Sequence, residues 1–445
     1  YFARGGQNAI LSYWIFGGMT IMTAVFRNRN FSLLWAAGLV SLMGNWMLFV
    51  ALPFHVYDLT GSALATSGLL MAMILPGLLF SSVAGVFVDR WDRRRTMILV
   101  SLLQALVIPA LLLVQSADMV WLVYVVAFVE ASLGRFFSPA ESALLPNLVD
   151  EELLVPANSL NALNDNLARI IGPAIGGVLL GVTGFASVII FDAVSYVVAA
   201  LLILLIAAPA LKQGFGPLDR LSQRGAAEST AKLREKFVDV WRELVEGLRL
   251  VARSRVLTAT FIVAGVALLG DAILSAILVV FVKDDMGLTA VEFGWMMTAR
   301  GLGGLIGALI IAQFGRKLST STLVTGGLIF SGVVILLMVS FPDLYVALAL
   351  LVLGGPLFMA WIVSLHTIFQ QGTEDEYRGR IFGTFGTISA LLMVFGAALG
   401  GGAADLLGGT VLITAAAVVT IIAGLISWAL LSRPVKQMEL ATAGD

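Results

Sequence analysis

Gly85-Val-Phe-Val-Asp89-Arg90-Trp-Asp92-Arg93-Arg94-Arg95 decides the fold. An apolar run from Ser67 to Val86 leads into it, and four arginines then arrive within six residues. A chain that leaves lipid into so dense a cationic turn leaves on the cytoplasmic side, by the positive-inside rule. Gly85 permits close approach of a second backbone. Asp89 falls where the helix meets the interface, so it must pair or face water.

Working outward, the 445 residues are 59% hydrophobic and only 12% charged, against about 25% charged in a soluble domain. The apolar runs have helix length and no alternating period, which excludes a β-barrel. The chain is therefore expected to be an all-α membrane protein. There is no cysteine, and the two histidines, His55 and His366, lie far apart; no metal or cofactor is expected. A formal net charge of -1 gives no reason to expect nucleic acid as a partner.

Twelve spans are expected, in two six-helix bundles at 26–210 and 256–433. A cytoplasmic linker at 211–255 joins them, and 434–445 forms a tail. Residues 1–25 read as an extension, either a non-native remnant upstream of a native Met19 or Met22 or a surface helix. Within the linker, Leu233, Phe237, Val240, Trp241, Leu244, Leu248 and Val251 recur at helical spacing, which predicts an amphipathic surface helix. With the N-terminus inside, the inner segments hold Arg27, Arg29, the Arg90–Arg95 cluster, ten linker cations, Arg316, Lys317, Arg378, Arg380, Arg433 and Lys436; the outer ones hold only Lys283. Both termini are thus expected in the cytoplasm.

An internal repeat underlies this organisation. Gly172-Pro-Ala-Ile-Gly-Gly177 and Gly396-Ala-Ala-Leu-Gly-Gly401 lie 224 residues apart; Asp92-Arg-Arg94 and Gly315-Arg-Lys317 lie 223 apart; Arg27-Asn-Arg29 and Arg253-Ser-Arg255 lie 226 apart. The second copy of the arginine turn has Ala312 where Asp89 would map.

Ionisable residues inside spans are costly and mark function by default. Here they are Glu130, Arg135, Asp165, Arg169, Asp192, Asp271 and Arg300. In span 5, Asn158, Asn161, Asp165, Arg169, Gly172 and Gly176 share one face, with Asp165 and Arg169 able to pair one turn apart. That face must meet a cavity or another helix. Glu130 lacks an in-helix counter-charge and is the first choice for a proton-carrying carboxylate, ahead of Asp165, Asp192 and Asp271; Arg169 or Asn161 are its expected neighbours. Arg135 reads as a partner for Asp89 or Glu141. Asp271 and Arg300 read either as an interhelical ion pair or as a coupling site. His366 reads as an interior histidine and His55 as an interface residue. Asn45, Asn158, Asn161, Arg169, Arg300 and Trp361 are the expected cavity residues, with Trp46, Met47, Phe49, Met71, Met73, Phe136, Phe137, Trp295, Met296, Met297, Phe358 and Met359 as possible apolar lining.

Gly85, Asp89, Arg90, Arg93 and Arg94 resemble the loop between spans 2 and 3 of the major facilitator superfamily; Asp92 departs from it, standing where that family usually has glycine. Gly172, Pro173, Gly176 and Gly177 resemble the end of the span-5 signature of its drug–proton antiporters, in part only, since Asn164 stands where an upstream glycine belongs. Pro139-Ala-Glu-Ser-Ala-Leu-Leu-Pro146, Asn158-Ser-Leu and Tyr377-Arg-Gly-Arg380 are similar to the prokaryotic group of macrolide-efflux proteins and the enterobactin exporter. The resemblance implies a major facilitator fold and proton-coupled export of small amphipathic molecules across the prokaryotic inner membrane, by two rocking bundles, with protons and membrane lipid as the other partners and one chain as the working unit. It implies that the Asp89/Arg93 turn latches onto the start of span 11 near Arg378 and Arg380, and that span 5 packs closely on its counterpart through its glycines. Translocation of lipid or glycolipid is the alternative. A receptor would not need so many buried carboxylates, and no phosphate loop, nucleophile motif or ligand cluster points to an enzyme or an ATP-driven pump.

Overall fold

The computed structural model describes residues 22–88, 91–207, 242 and 244–442. Among these, twelve helices are long and apolar enough to cross a membrane. They are α1 Arg29–Thr60, α2 Ala63–Val88, α3 Arg93–Val107, α4 Val120–Leu144, α5 Leu154–Thr183 and α6 Phe185–Leu204, then α7 Arg255–Val280, α8 Ala290–Phe314, α9 Thr320–Ser340, α10 Leu344–Gln371, α11 Asp375–Leu407 and α12 Gly409–Thr442. No strand occurs among the described residues. Every expected span is present. α3 tightens into a 3-10 segment at Ile108–Leu113 because Pro109 removes a helix donor. α12 runs past the expected bundle end at 433 to Thr442, while its apolar part stops at Ser432.

The repeat is structural. In Arg27-Asn-Arg29 and Arg253-Ser-Arg255, the central residue caps the helix that follows. Asn28 Oδ1 accepts from Asn30 N at 3.0 Å and Phe31 N at 3.2 Å, and Ser254 Oγ accepts from Leu257 N at 3.3 Å. Such a cap is typically worth about 1 kcal/mol. Asp92 has the same task for α3, accepting from Arg95 N at 2.7 Å. That explains why an acid stands where the resemblance leads one to expect glycine.

Glycines then set how the helices pack. A Cβ on Gly172 or Gly176 would collide with Trp46 or Met47, so these two seat α5 on α1 inside the first bundle. A Cβ on Gly177 would strike the Ala290 carbonyl, and one on Gly294 the Pro173 carbonyl; this pair seats α5 on α8 across the bundle interface. The expected glycine face thus divides between two neighbours. Its repeat mate does the same: Gly396 lies against Leu269 and Ala272 of α7, and Gly401 against Ala63 and Ser67 of α2.

The linker's Leu233, Phe237, Val240 and Trp241 lie outside the described residues. The helical end at 244–253 packs on the start of α11, where a Cβ on Gly247 would strike Thr384 and Glu246 pairs with Arg380 at 3.7 Å. Val251 is buried and Leu248 exposed.

Candidate functional site

The two bundles are sealed together at the end where α1, α5, α7 and α11 finish. Tyr57 Oη donates to Asp284, and Lys283 pairs with Asp58. Positions 57 and 283, and 58 and 284, are repeat mates, so one contact is made twice around the bundle axis with different side chains. Beside it, Asp405 of α11 caps α2 in the opposite bundle: it accepts from Ala63 N at 2.6 Å and from Ser62 Oγ at 2.8 Å. The mate of α2, α8, caps itself, with Thr289 N donating to Glu292 Oε2 at 2.8 Å. Phe54 meets Phe293 just inside this seal, with ring centroids 5.2 Å apart.

Toward the other end the bundles part around a cavity of about 790 Å³, lined by α2, α4 and α11 with Leu244 at its edge. Gly379, Gly383 and Gly386 face open space there. Arg135 lines this cavity and lies over Gly77, where a Cβ would come 3.0 Å from its Nη2. It does not pair with Glu141, which faces a different cavity.

That second cavity, of about 430 Å³, lies inside the first bundle. Asn158, Asn161, Asn164, Asp165 and Glu141 line it, and Asn45, Gln104 and Tyr196 lie deeper. The expected polar face of α5 therefore opens on an intrabundle vestibule. Arg169 is the exception: its Nη2 donates to Asn166 Oδ1 at 2.9 Å, so the expected Asp165–Arg169 pair is not formed. The guanidinium sits at the α5–α8 seam, 3.9 Å from where a Gly304 Cβ would stand.

Glu130 does not meet Arg169 or Asn161 either; it turns toward α3 and α6. Tyr196 Oη lies 3.0 Å from Glu130 Oε1, 3.0 Å from Gln104 Nε2 and 2.5 Å from Asn45 Oδ1, and Gln104 Nε2 is 3.4 Å from Glu130 Oε1. A phenol has one proton to give and two lone pairs. Gln104 donates to it. If it donates to Asn45 Oδ1, the approach of Glu130 is satisfied by a protonated carboxyl donating to Oη. If the Asn45 amide is turned over so that its nitrogen faces Oη, the phenol donates to an ionised Glu130. The ring closes in either protonation state at the cost of one amide flip. Next to it Asp192 is fully buried, its Oδ1 3.4 Å from Ser195 Oγ and its Oδ2 without a partner. Gly44 makes room for it, since a Cβ there would overlap Oδ1.

In the second bundle, Arg300 Nη2 pairs with Asp271 Oδ1 at 3.2 Å, and the guanidinium lies 5.7 Å over the Phe358 ring. Both residues line a small cavity of about 100 Å³. Trp361 is not a cavity residue: it is 5% exposed and packs against Gly327 and Phe358, because its α10 face points to the bundle core. His55 Nε2 lies 3.1 Å from Val114 O and its ring stacks on Phe185; His366 meets Phe382 edge-on.

Of the expected latch, Gly85 lies in α2, while Asp89 and Arg90 lie outside the described residues. Arg93 donates to Ala143 O at 2.7 Å and Arg94 to Ile203 O at 3.1 Å, both within the first bundle. Arg378 pairs with Asp375 at 2.6 Å and donates to Gln370 O, and Arg380 holds Glu246, all on the second bundle or the linker.

Sequence reasoning missed Gln104 and the seal at Tyr57, Asp58, Asp284 and Asp405, and it named Glu141 and Asn164 without placing them at a cavity. The repeat offset, carried into the loops, would have matched positions 57–58 with 283–284.

The family model described as transmembrane secretion effector matches residues 20–444. Macrolide efflux protein A of Streptococcus pyogenes is 27% identical over 85% of this chain and 90% of its own. Multidrug efflux pump Tap of Mycolicibacterium fortuitum is 30% identical over 87% and 92%. In fold, a nucleoside transporter superposes with a TM-score of 0.70 at 10% identity, over 91% of this chain and all of its own. A bacterial homologue of the iron transporter ferroportin gives 0.65 at 16%, over 91% and 99%. The chain is a multi-pass membrane transporter, not an enzyme, and it belongs to the transmembrane secretion effector family of the major facilitator superfamily.

Proposed function

We propose that this transporter exports small amphipathic molecules in exchange for protons, and that Glu130 is the carboxylate that carries the proton. The observation that supports this most is the ring of Glu130, Tyr196 and Gln104 with Asn45 on the phenol, which can be hydrogen-bonded with the carboxyl either protonated or ionised. A group that must take up and release a proton in each cycle needs both forms to be tolerated. Relatives named for macrolide and multidrug efflux support the cargo class.

With the arginine-rich ends in the cytoplasm of a prokaryotic inner membrane, the sealed end is outside and the 790 Å³ cavity opens inward. Export then requires the Tyr57–Asp284 and Lys283–Asp58 contacts and the Asp405 cap to break as the bundles rock. On the inner side Arg93 and Arg94 would leave their carbonyl partners, and the Asp89/Arg93 turn would close on Arg378 and Arg380. One chain supplies both bundles, so no second copy is needed.

The test is transport in proteoliposomes under an imposed pH gradient, with a fluorescent cationic dye as cargo. The parent should concentrate dye against its gradient, and Glu130→Gln should lose that while retaining downhill exchange. Movement of labelled lipid with no dye transport would replace this reading with lipid translocation. Asp89→Asn should lower the transport rate more than the affinity for dye; normal transport would remove the latch from the scheme.

A further inference from the structure

We propose that the vestibule mouth between α1, α4 and α5 binds a compact cation, held by the carboxylates of Glu141 and Asp165 and the amide oxygens of Asn161 and Asn164. This inference goes beyond the export reading and does not depend on it. It concerns a site roughly three helical turns from Glu130, about 16 Å along α4 at 1.5 Å per residue.

The first observation is the fixed orientation of Asn164. It is 3% exposed and lines the vestibule. Its Nδ2 donates to Trp35 O at 2.9 Å, which settles which end of the amide is oxygen. Oδ1 is left buried with no donor. Asn161 Oδ1, on the turn before, is also buried and lacks one. A buried acceptor left without a donor is costly, and two that line one cavity call for a ligand that supplies positive charge or N–H groups.

The second observation is charge. Glu141 and Asp165 both line the cavity and lie within electrostatic reach of each other. Among the described residues, no lysine, arginine or histidine lines it. Arg169, one turn beyond Asp165, acts on it through space, but its guanidinium is turned to Asn166. Among the described residues, Glu141 has no such neighbour.

The third is a cleft. A Cβ on Gly38 would stand 3.0 Å from Asn164 Nδ2 and 3.6 Å from Glu141 Oε1. With no side chain at position 38, space remains beside both the amide and the carboxylate that a methyl group would fill. Oxygen-only donors without nitrogen or sulfur suit a hard cation or an ammonium group. Two sources share that chemistry: an inorganic monovalent ion, or the protonated amine of a molecule entering from the open side.

The test uses full-length protein in lipid nanodiscs at constant ionic strength balanced with choline chloride. Sodium chloride and dimethylbenzylammonium chloride are titrated separately, and binding is read by thermal unfolding and by radiolabelled sodium or amine retained on the protein. At least one cation should bind saturably, and Glu141→Gln should raise its half-saturating concentration tenfold or more, while Asp271→Asn in the other bundle leaves it unchanged. Sodium alone assigns a resident or coupled ion; the amine alone assigns a cargo headgroup. If Glu141→Gln fails to fold, Gly38→Ala, which fills the cleft, should weaken retention of the same cation. Absence of saturable binding of both cations by the parent, or equal binding by the parent and the foldable variant, overturns the proposal whether or not the protein exports dye.

Discussion

The two bundles arise from one repeat but handle intramembrane charge in opposite ways. In the second, Asp271 and Arg300 neutralise each other at 3.2 Å. In the first, Glu130 and Asp192 have only neutral hydrogen-bond partners: Tyr196, Gln104 and Ser195. Asn45 and Asp271 stand 226 residues apart, the spacing that separates the capping residues Asn28 and Ser254, so the position that bonds the Tyr196 phenol in one half carries the paired acid in the other. Where Glu130 and Asp192 would map, the second half has Leu353 to Pro356 and Ala415 to Val418, with no acid. A paired acid is locked in one charge state, whereas an acid among neutral donors is free to change. The same scaffold thus carries unpaired acids among neutral partners in the first bundle and an ion pair in the second, and the proposed proton chemistry belongs with the former.

Exchanging a titratable group for a neutral isostere should separate the halves most sharply. Glu130→Gln is expected to lower proton-driven dye accumulation on the order of a hundredfold, within the range for a positioned proton-transfer group. Its unfolding temperature should stay near the parent's, because glutamine keeps a partner for Tyr196. Equal loss in Asp192→Asn alone, with Glu130→Gln active, would move the proton site by one helix.

Breaking the pair should act on stability instead. Asp271→Asn leaves Arg300 without its counter-charge; since both side chains are partly exposed, a loss of about 1–3 kcal/mol is expected, below that for a fully buried pair. The double variant Asp271→Asn with Arg300→Gln should recover part of it, as read by thermal unfolding in detergent. No recovery would mean that the residues do not act as a pair.

The seal offers a smaller effect. Asp405→Ala removes a helix cap supplied by the opposite bundle, and a cap worth about 1 kcal/mol shifts a two-state equilibrium roughly fivefold. Spin labels near the ends of α1 and α7 should show a larger separated population. Glu292→Ala, which removes a cap within α8, should leave that distribution unchanged.

Much of this was legible in the sequence, for stated reasons. Span number and the repeat followed from apolar length and from motifs at one offset, and the capping role of Asn28 and Ser254 explains why that offset survived. Glu130, Asp192, Asp271 and Arg300 could be found because lipid makes any charge in a span conspicuous. Their partners could not. Helical periodicity ranks faces within one helix, but which helix a face meets depends on glycine contacts such as Gly177 with Ala290, made across the chain. So Glu130 was expected beside α5 and lies against α3 and α6. Trp361 looked like lining because its type fits a cavity, and its burial came from packing on Gly327. Asn164 flanks the polar face of α5 and departs from a glycine, but its orientation depends on Trp35 O, on another helix.

The claim that the first bundle carries the proton is tested most directly by proton release on cargo binding. Purified protein in weakly buffered detergent solution, with a pH-indicator dye, receives a saturating hydrophobic cation such as tetraphenylphosphonium. The parent and Asp271→Asn should release about the same number of protons, and Glu130→Gln should release none. Release that persists in Glu130→Gln, or that is lost in Asp271→Asn alone, would contradict the assignment of proton chemistry to the first bundle.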